Sequence, residues 1–351
     1  MAQTMRAAVL HGPGDIRVED VPVPEPGPGE VLVRVAACGV CGSDIARMLL
    51  PGGSYHLPIV CGHEFAGHVV EFGAEVTGPD APRLGDLVTV PPLIPCRRCG
   101  PCVRGWFSLC EDYDYFGSRR DGAYAEYVTV PVGNLLVLPP EVDPRAAAML
   151  DPAAIALHAL WRTPLRTGQR VAVVGAGPIG LFAVQWARLA GAAEVLAVDV
   201  NDRKAAMAVE AGATHTASGR DAAVELAGGG YDVVVESAGV PPTIEMAVAL
   251  SARRGHAVFI GIPHETVGLP EKTFGAFLRR EVSLHGAWNS FSAPFPGDEW
   301  RTAAAAIASG ELKWEFMITH DLGLAELPDT MRQLGERSIF SSKVLFRPGS
   351  D

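Results

Sequence analysis

Residues 171–180, VAVVGAGPIG, restrict what this chain can fold into more than any other stretch. An apolar run ends in Gly175, Gly177 and Gly180, spaced G-x-G-x-x-G, and PIGLFAVQWARLAG then carries on with helical periodicity. Strand, tight glycine turn and helix in that order form the phosphate-binding opening of a dinucleotide fold. The first glycine makes the turn, the second lets a pyrophosphate approach the backbone, and the third packs helix against strand. Pro178 and Ile179 open the helix, whose unpaired amides and dipole favour a phosphate.

The surrounding pattern agrees. EVLAVDV, YDVVVESAG and HAVFIGI read as strands, while DRKAAMAVEAG and TIEMAVALSARRG read as helices. Continuous apolar strands alternating with helices predict a parallel sheet covered on both faces. VSLHGAWNS is expected to add a strand near its edge. Asp199 closes the second strand about 20 residues past the glycines, where a carboxylate accepts hydrogen bonds from a ribose 2′-hydroxyl and repels a 2′-phosphate. NAD is therefore expected over NADP. The competing reading is that Asp199 only caps the next helix. Arg203 and Lys204, one turn on, could flank the adenine or partly restore NADP binding.

The N-terminal third has a different character. RAAVLHGP, IRVEDVPVP, EVLVRVAACGV, GHEFAGHVVEFG and DLVTVPP are short apolar or alternating runs cut by Gly and Pro, the pattern of a β-rich, barrel-like module. RAAAMLDPAAIALHALWR reads as helical, bent or interrupted at Pro152. At 351 residues the chain exceeds one hydrophobic core. Boundaries are expected at 1–153 for the β-rich module, 154–292 for the dinucleotide domain and 293–351 for a segment returning to the first module.

A net charge of −11 argues against a nucleic-acid surface. Neither an apolar leader nor an uninterrupted apolar stretch of about 20 residues is present, so neither a signal peptide nor a membrane span is expected. All seven cysteines lie within the first 110 residues. An odd, clustered set without an export signal points to metal ligation and a cytoplasmic setting.

Cys96, Cys99, Cys102 and Cys110, spaced C-x2-C-x2-C-x7-C in a lobe spanning about 93–113, can close a tetrahedral zinc site with no open position. Such a zinc is structural. An iron–sulfur cluster would also use close cysteines, but nothing else suggests electron transfer. Cys41 in ACGVCGSD and His63, followed by Glu64, in CGHEFAGHVV offer a thiolate and an imidazole that could share a second zinc. A pair 22 residues apart is equally what unrelated core residues look like.

Taken together, CGSD, GHEFAG, the cysteine lobe, VAVVGAGPIG and the closing KVLF, in this order, resemble the zinc-containing medium-chain dehydrogenases over essentially the whole chain. YDYFGSRRDGAYAEY and GAWNSFSAPFPGDEW look like the polyol subgroup that includes the galactitol-1-phosphate dehydrogenases. The resemblance implies an α/β architecture, a GroES-like catalytic domain followed by a Rossmann domain. It implies that Cys41, His63 and Asp151 hold a catalytic zinc, Asp151 standing where the polyol subgroup usually has a glutamate. It gives Ser43 the role of taking the substrate proton and Glu64 that of a neighbour supporting the metal site. Many relatives finish the proton relay with a histidine where this chain has Ala46. Two zinc ions per chain, a polyol, sugar or cyclitol substrate and a homodimer or homotetramer follow from the same resemblance.

Arg119 and Arg120, in GSRRDG, could meet a substrate phosphate or be surface arginines of a turn. His56 reads as a loop histidine, and Cys38 and Cys61 as buried packing residues. The alternatives are a dehydrogenase of an unphosphorylated sugar or amino-cyclitol, a zinc-free quinone reductase and a non-catalytic binding protein. The quinone reductase branch lacks both the Cys41/His63 pair and the cysteine lobe.

Overall fold

The computed structural model describes residues 3–78 and 81–349. Among these residues the chain forms two compact units. One joins the residues up to Asp151 with those from Phe291 onward, and the other is Pro152–Ser290. Each division falls two residues ahead of the boundary drawn from sequence.

The first unit is built on Glu30–Gly39. This strand pairs antiparallel with Glu64–Phe72, Tyr127–Pro131 and Lys343–Arg347. Val31, Leu32, Val33 and Val35 of this strand are all buried, so both of its faces are covered at that end, while Arg34 is exposed. Thr4–Gly12, Asp15–Pro22 and Ile59–Val60 form a second, three-stranded sheet. Leu10, Val33, Phe65, Phe116, Tyr124 and Phe346 meet in one core, which the C-terminal strand completes. Register places Gly39 opposite Glu64 on one side and Leu345 on the other, so residues far apart in sequence converge at one end of the sheet.

The second unit is a six-stranded parallel sheet. Its order is His215–Ala217, Glu194–Val198, Arg170–Val174, Tyr231–Glu236, Ser251–Phe259, Ser283–Gly286. The chain moves outward from Arg170–Val174 in one direction, then returns to build the other half. The reversal makes a crevice at the carboxyl end of that strand, where ligands bind in such sheets. The glycines follow immediately. Ser283–Gly286 is the edge strand, as its sequence suggested.

Three local readings need correction. Residues 145–162 do not form one helix bent at Pro152. Pro144–Ala147 and Leu150–Trp161 are separate helices, and Pro152 sits in the first turn of the second, where its missing amide costs nothing. SARRG does not extend the preceding helix, which ends at Leu250. Ser251 begins a strand whose register with Tyr231–Glu236 shifts, and Arg254 has φ of +57°. Residues 213–230, unassigned from sequence, contain the strand His215–Ala217 and the helix Arg220–Ala227. None of the described helices is long and apolar enough to cross a membrane.

Candidate active site

The cysteine lobe is folded around its sulfurs. Arg97 adopts φ of +59°, and the short helix Gly100–Val103 and the 3-10 turn Phe107–Leu109 bring the four Sγ atoms within 4.8 Å of one another. Cys96 and Cys102 Sγ are 4.0 Å apart, Cys99 and Cys110 Sγ 3.9 Å. These are not disulfides, whose sulfurs stand about 2.05 Å apart. Four sulfurs about 2.3 Å from a tetrahedral zinc would be about 3.8 Å apart, so the lobe fits the metal. Amides already serve the thiolates: the Cys96 amide donates to Cys110 Sγ and the Cys99 amide to Cys96 Sγ. The Arg98 amide in particular lowers the Cys96 thiol to about 6, while burial pushes Cys102 up to about 12.

A second cluster forms at the end of the central sheet. Cys41 caps the helix Gly42–Leu49, His63 precedes the strand Glu64–Phe72, and Glu64 begins it. One ligand atom from each of Cys41, His63 and Glu64 lies within 4.8 Å of the others. A thiolate, an imidazole and a carboxylate form a donor set suited to zinc. Asp151, in the first turn of Leu150–Trp161, is buried beside them. Burial, then the nearby Glu64 carboxylate, raises its carboxyl to about 7, with His63 and Lys343 opposing. The structure therefore groups Glu64 with Cys41 and His63 and keeps Asp151 as an adjacent acid. Ser43 is half-buried in the first turn of the Gly42–Leu49 helix.

Three participants escaped the sequence reading. Asp44 is fully buried, and its Oδ1 is 3.2 Å from His63 Nδ1, off the line of a well-aligned hydrogen bond. Burial pushes its carboxyl up, but the His63 ring and the Arg47 cation overcome this and hold it at about 2. Its position three residues after Cys41, the spacing of a reciprocal cap, was the available signal. Lys343 is buried against Glu64 and also donates to the Val40 carbonyl at 3.1 Å. Nothing in KVLF distinguishes a buried lysine from a surface one. The Tyr115 ring centroid is 5.6 Å from that of His63. Burial, then Asp151 and Cys41, keeps the Tyr115 hydroxyl protonated well above the ordinary tyrosine range.

The two arginines differ. Arg120 is paired with Glu30 at 3.1 Å and Asp114 at 3.7 Å. Arg119 lies over the rings of Tyr113 (4.0 Å) and Tyr55 (4.9 Å) and donates to the Tyr113 carbonyl. The His56 ring nitrogen lies 3.2 Å from the Arg119 carbonyl, and Cys38 and Cys61 are buried.

In the second unit the glycine turn has the expected constraints. Gly175 has φ of +96°, a conformation that L-residues rarely adopt. A Cβ on Gly180 would lie 1.9 Å from the Gly175 carbonyl oxygen, whereas one on Gly177 would meet nothing within 4 Å. Pro178 and Ile179 begin the helix Pro178–Leu189. Asp199 Oδ2 accepts from the Ala176 amide at 2.9 Å and Oδ1 from the Asn201 amide at 2.9 Å. The cap of the next helix is Asn201, which accepts from the Arg203 and Lys204 amides. Asp199 is thus not that cap and ties the end of its strand to the glycine turn.

A dinucleotide turn in one unit and two metal-fitting clusters in the other define a metal-assisted dehydrogenase. Residues 27–140 match the alcohol dehydrogenase GroES-like domain and residues 178–309 the zinc-binding dehydrogenase domain. The chain belongs to the zinc-dependent medium-chain alcohol and polyol dehydrogenases and is an oxidoreductase. It is 35% identical to galactitol 1-phosphate 5-dehydrogenase of Escherichia coli (strain K12), over 98% of this chain and all of the relative. Identity to sorbitol dehydrogenase of Bacillus subtilis (strain 168) is 31%, over 99% of this chain and 98% of that one. The crystal structure of the Escherichia coli galactitol-1-phosphate dehydrogenase matches with a TM-score of 0.92, at 34% identity, covering 98% of this chain and all of that one. A Sinorhizobium meliloti structure, described as a zinc-binding dehydrogenase bound to NADP, matches with a TM-score of 0.87 at 34% identity over 99% of this chain and all of that one.

Proposed function

We propose that this chain oxidises a secondary alcohol of a polyol, with NAD as its coenzyme and a galactitol 1-phosphate-like hexitol phosphate as its substrate. The observation that carries the reading is the grouping of half-buried Cys41 with buried His63 and Glu64, and buried Asp151 beside them. The near full-length similarity to galactitol 1-phosphate 5-dehydrogenase supports the substrate class. When bound, zinc would supply Lewis acidity toward the alcohol and NAD a hydride acceptor. Cys41 and His63 would hold the catalytic metal; Glu64, grouped with them but paired with Lys343, would be a supporting neighbour, and the adjacent Asp151 would turn in as third ligand. Ser43, partly exposed, would take the alcohol proton while passing its own hydroxyl proton to solvent water, because Ala46 offers no side-chain group for that relay. Cys96, Cys99, Cys102 and Cys110 would hold the structural zinc. The glycine turn and helix start at Gly175, Gly177, Pro178, Ile179 and Gly180 would receive the pyrophosphate. Asp199 would accept from the ribose hydroxyls, and Arg203 would border the adenosine side.

One observation favours a second reading, an unphosphorylated sugar or amino-cyclitol. Arg120 is neutralised by two carboxylates, which leaves Arg119 to meet a phosphate. The exposed Leu284 on the edge strand Ser283–Gly286 supports a homodimer or homotetramer, and the cytoplasm is the proposed compartment. The test is cofactor reduction by the zinc-loaded protein across polyols, hexitol phosphates and cyclitols. Turnover confined to hexitol phosphates supports the first reading, and turnover confined to unphosphorylated rings the second. No turnover with any alcohol overturns both.

A further inference from the structure

The two segments that bring Cys41 and His63 together share one buried carboxylate. Asp44 Oδ2 accepts from the Cys41 amide at 3.0 Å and from the Tyr124 hydroxyl at 3.1 Å. Oδ1 faces His63 Nδ1 at 3.2 Å and accepts from Arg47 Nη1 at 3.0 Å. A carboxylate has about four lone-pair sites, so these four neighbours fill it. The Cys41 amide, the Tyr124 hydroxyl and the His63 ring are set in place by the helix cap, the core and the adjoining strand. Arg47 is different: it is a full charge on a long side chain that is only 14% exposed.

Burying a guanidinium is costly unless it is paired, and Arg47 Nε is buried without a hydrogen-bond partner. Its pairing with Asp44 is therefore its main compensation. The backbone there is tied down as well, since Ser54 Oγ donates to the Arg47 carbonyl at 3.2 Å. Without Arg47, Oδ2 would stay held by the Cys41 amide and the Tyr124 hydroxyl, but Oδ1, the oxygen facing the ring, would keep only the off-line contact to His63. The ring orientation of a ligating histidine is set by what its second nitrogen meets, so the His63 ring would lose its reference.

We infer that Arg47 is a positioning residue of the catalytic metal site: by fixing Asp44 it aims His63 and so governs how tightly the Cys41–His63 site holds zinc. This rests on the reading of Cys41 and His63 as zinc ligands. Ala46 beside it, where many relatives carry a relay histidine, makes no comparable contact to Asp44.

The test uses the full chain, with zinc content per chain and the rate of zinc transfer to a chromogenic chelator measured for wild type, Arg47→Met, Arg47→Lys and Cys41→Ser. Wild type is expected to carry two zinc ions, and Cys41→Ser one. Arg47→Met should keep the cysteine-lobe zinc and its cooperative melting, yet bind the second zinc about 10- to 100-fold more weakly. Arg47→Lys should recover part of that loss, because an ammonium can pair with Asp44 but lacks the planar fork. Arg47→Gln replaces Arg47→Met if the latter does not fold. Wild-type zinc release from whichever neutral variant folds would overturn the inference. A wild type whose zinc content is unchanged by Cys41→Ser would overturn the underlying metal reading, and the inference with it.

Discussion

Lys343 Nζ, on the C-terminal strand, is paired with Glu64, a residue 279 positions earlier, and both side chains are almost fully buried. Removing one partner of such a pair leaves an uncompensated charge, at about 3–5 kcal/mol, whereas removing both is far milder. Lys343→Met should therefore lower unfolding stability by about that amount. Lys343→Met combined with Glu64→Gln should recover most of it. Urea denaturation of the four proteins closes the cycle. Additive losses would mean that the pair is not coupled.

The cysteine lobe should lose zinc as the pH falls. Thiolates are the ligands, and metal must displace any protons they carry. Burial holds the Cys102 thiol near 12, so it is protonated at neutral pH without metal, whereas Cys96 near 6 is largely ionised. Zinc binding thus expels at least the Cys102 proton, and affinity should drop about tenfold or more per pH unit below neutrality. Chelator competition between pH 6 and 8 on the Cys41→Ser variant isolates this site. A flat profile would contradict the four-thiolate assignment.

The glycine turn makes two contrasting predictions. Gly180→Ala would drive a methyl into the Gly175 carbonyl, so both melting temperature and cofactor affinity should fall. Gly177→Ala has open space, so stability should hold while the added methyl blocks pyrophosphate approach. Calorimetry alongside NADH fluorescence titration separates the two. Unchanged NADH affinity in Gly177→Ala would remove the pyrophosphate from that position.

In the dinucleotide unit, Arg170 pairs with Glu194 through Nε at 2.9 Å and Nη2 at 3.0 Å, donates to the Ala227 and Gly230 carbonyls and lies over the Tyr231 ring. The Arg170 hydrogen bond holds the Glu194 carboxyl below its ordinary value, against a smaller opposing effect of burial. A carboxyl depressed in the folded state adds stability above its unfolded pKa of about 4.3, and that stability disappears as the pH falls through the folded value. Glu194→Gln should therefore be less stable than wild type at pH 7, with the gap closing below about pH 4. Denaturant midpoints across pH test this, and a gap that widens in acid would reverse the assignment.

What was legible from sequence follows from how local each signal is. The parallel strands and the glycine turn could be read because an apolar run and its turn are contiguous. The cysteine lobe was legible for the same reason, its four thiols lying within fifteen residues. The misplaced boundary at Leu250 came from Ser251–Gly255, whose strand pairing depends on Tyr231 rather than on its own pattern. Lys343 was invisible because its burial comes from distant segments, the strands that the last strand pairs with and the Glu64 carboxylate. Asp44 was visible as a cap but not as a partner of His63, which arrives from a separate strand.

On the proposed reading Asp199 sets the cofactor choice; it meets the Ala176 and Asn201 amides and stands between the glycine turn and the next helix. A carboxylate there favours ribose hydroxyls and repels a 2′-phosphate. Asp199→Ser removes the repulsion while keeping a hydrogen-bonding group, and the Arg203 and Lys204 amides remain held by Asn201. Wild type should prefer NAD, and Asp199→Ser should shift the ratio of kcat/KM for NAD over NADP toward NADP by about 10- to 100-fold, or about 1.4–2.8 kcal/mol. Steady-state kinetics with both coenzymes and one active alcohol measure it. An NADP-preferring wild type, or a ratio unmoved by the substitution, would place the discrimination elsewhere than Asp199.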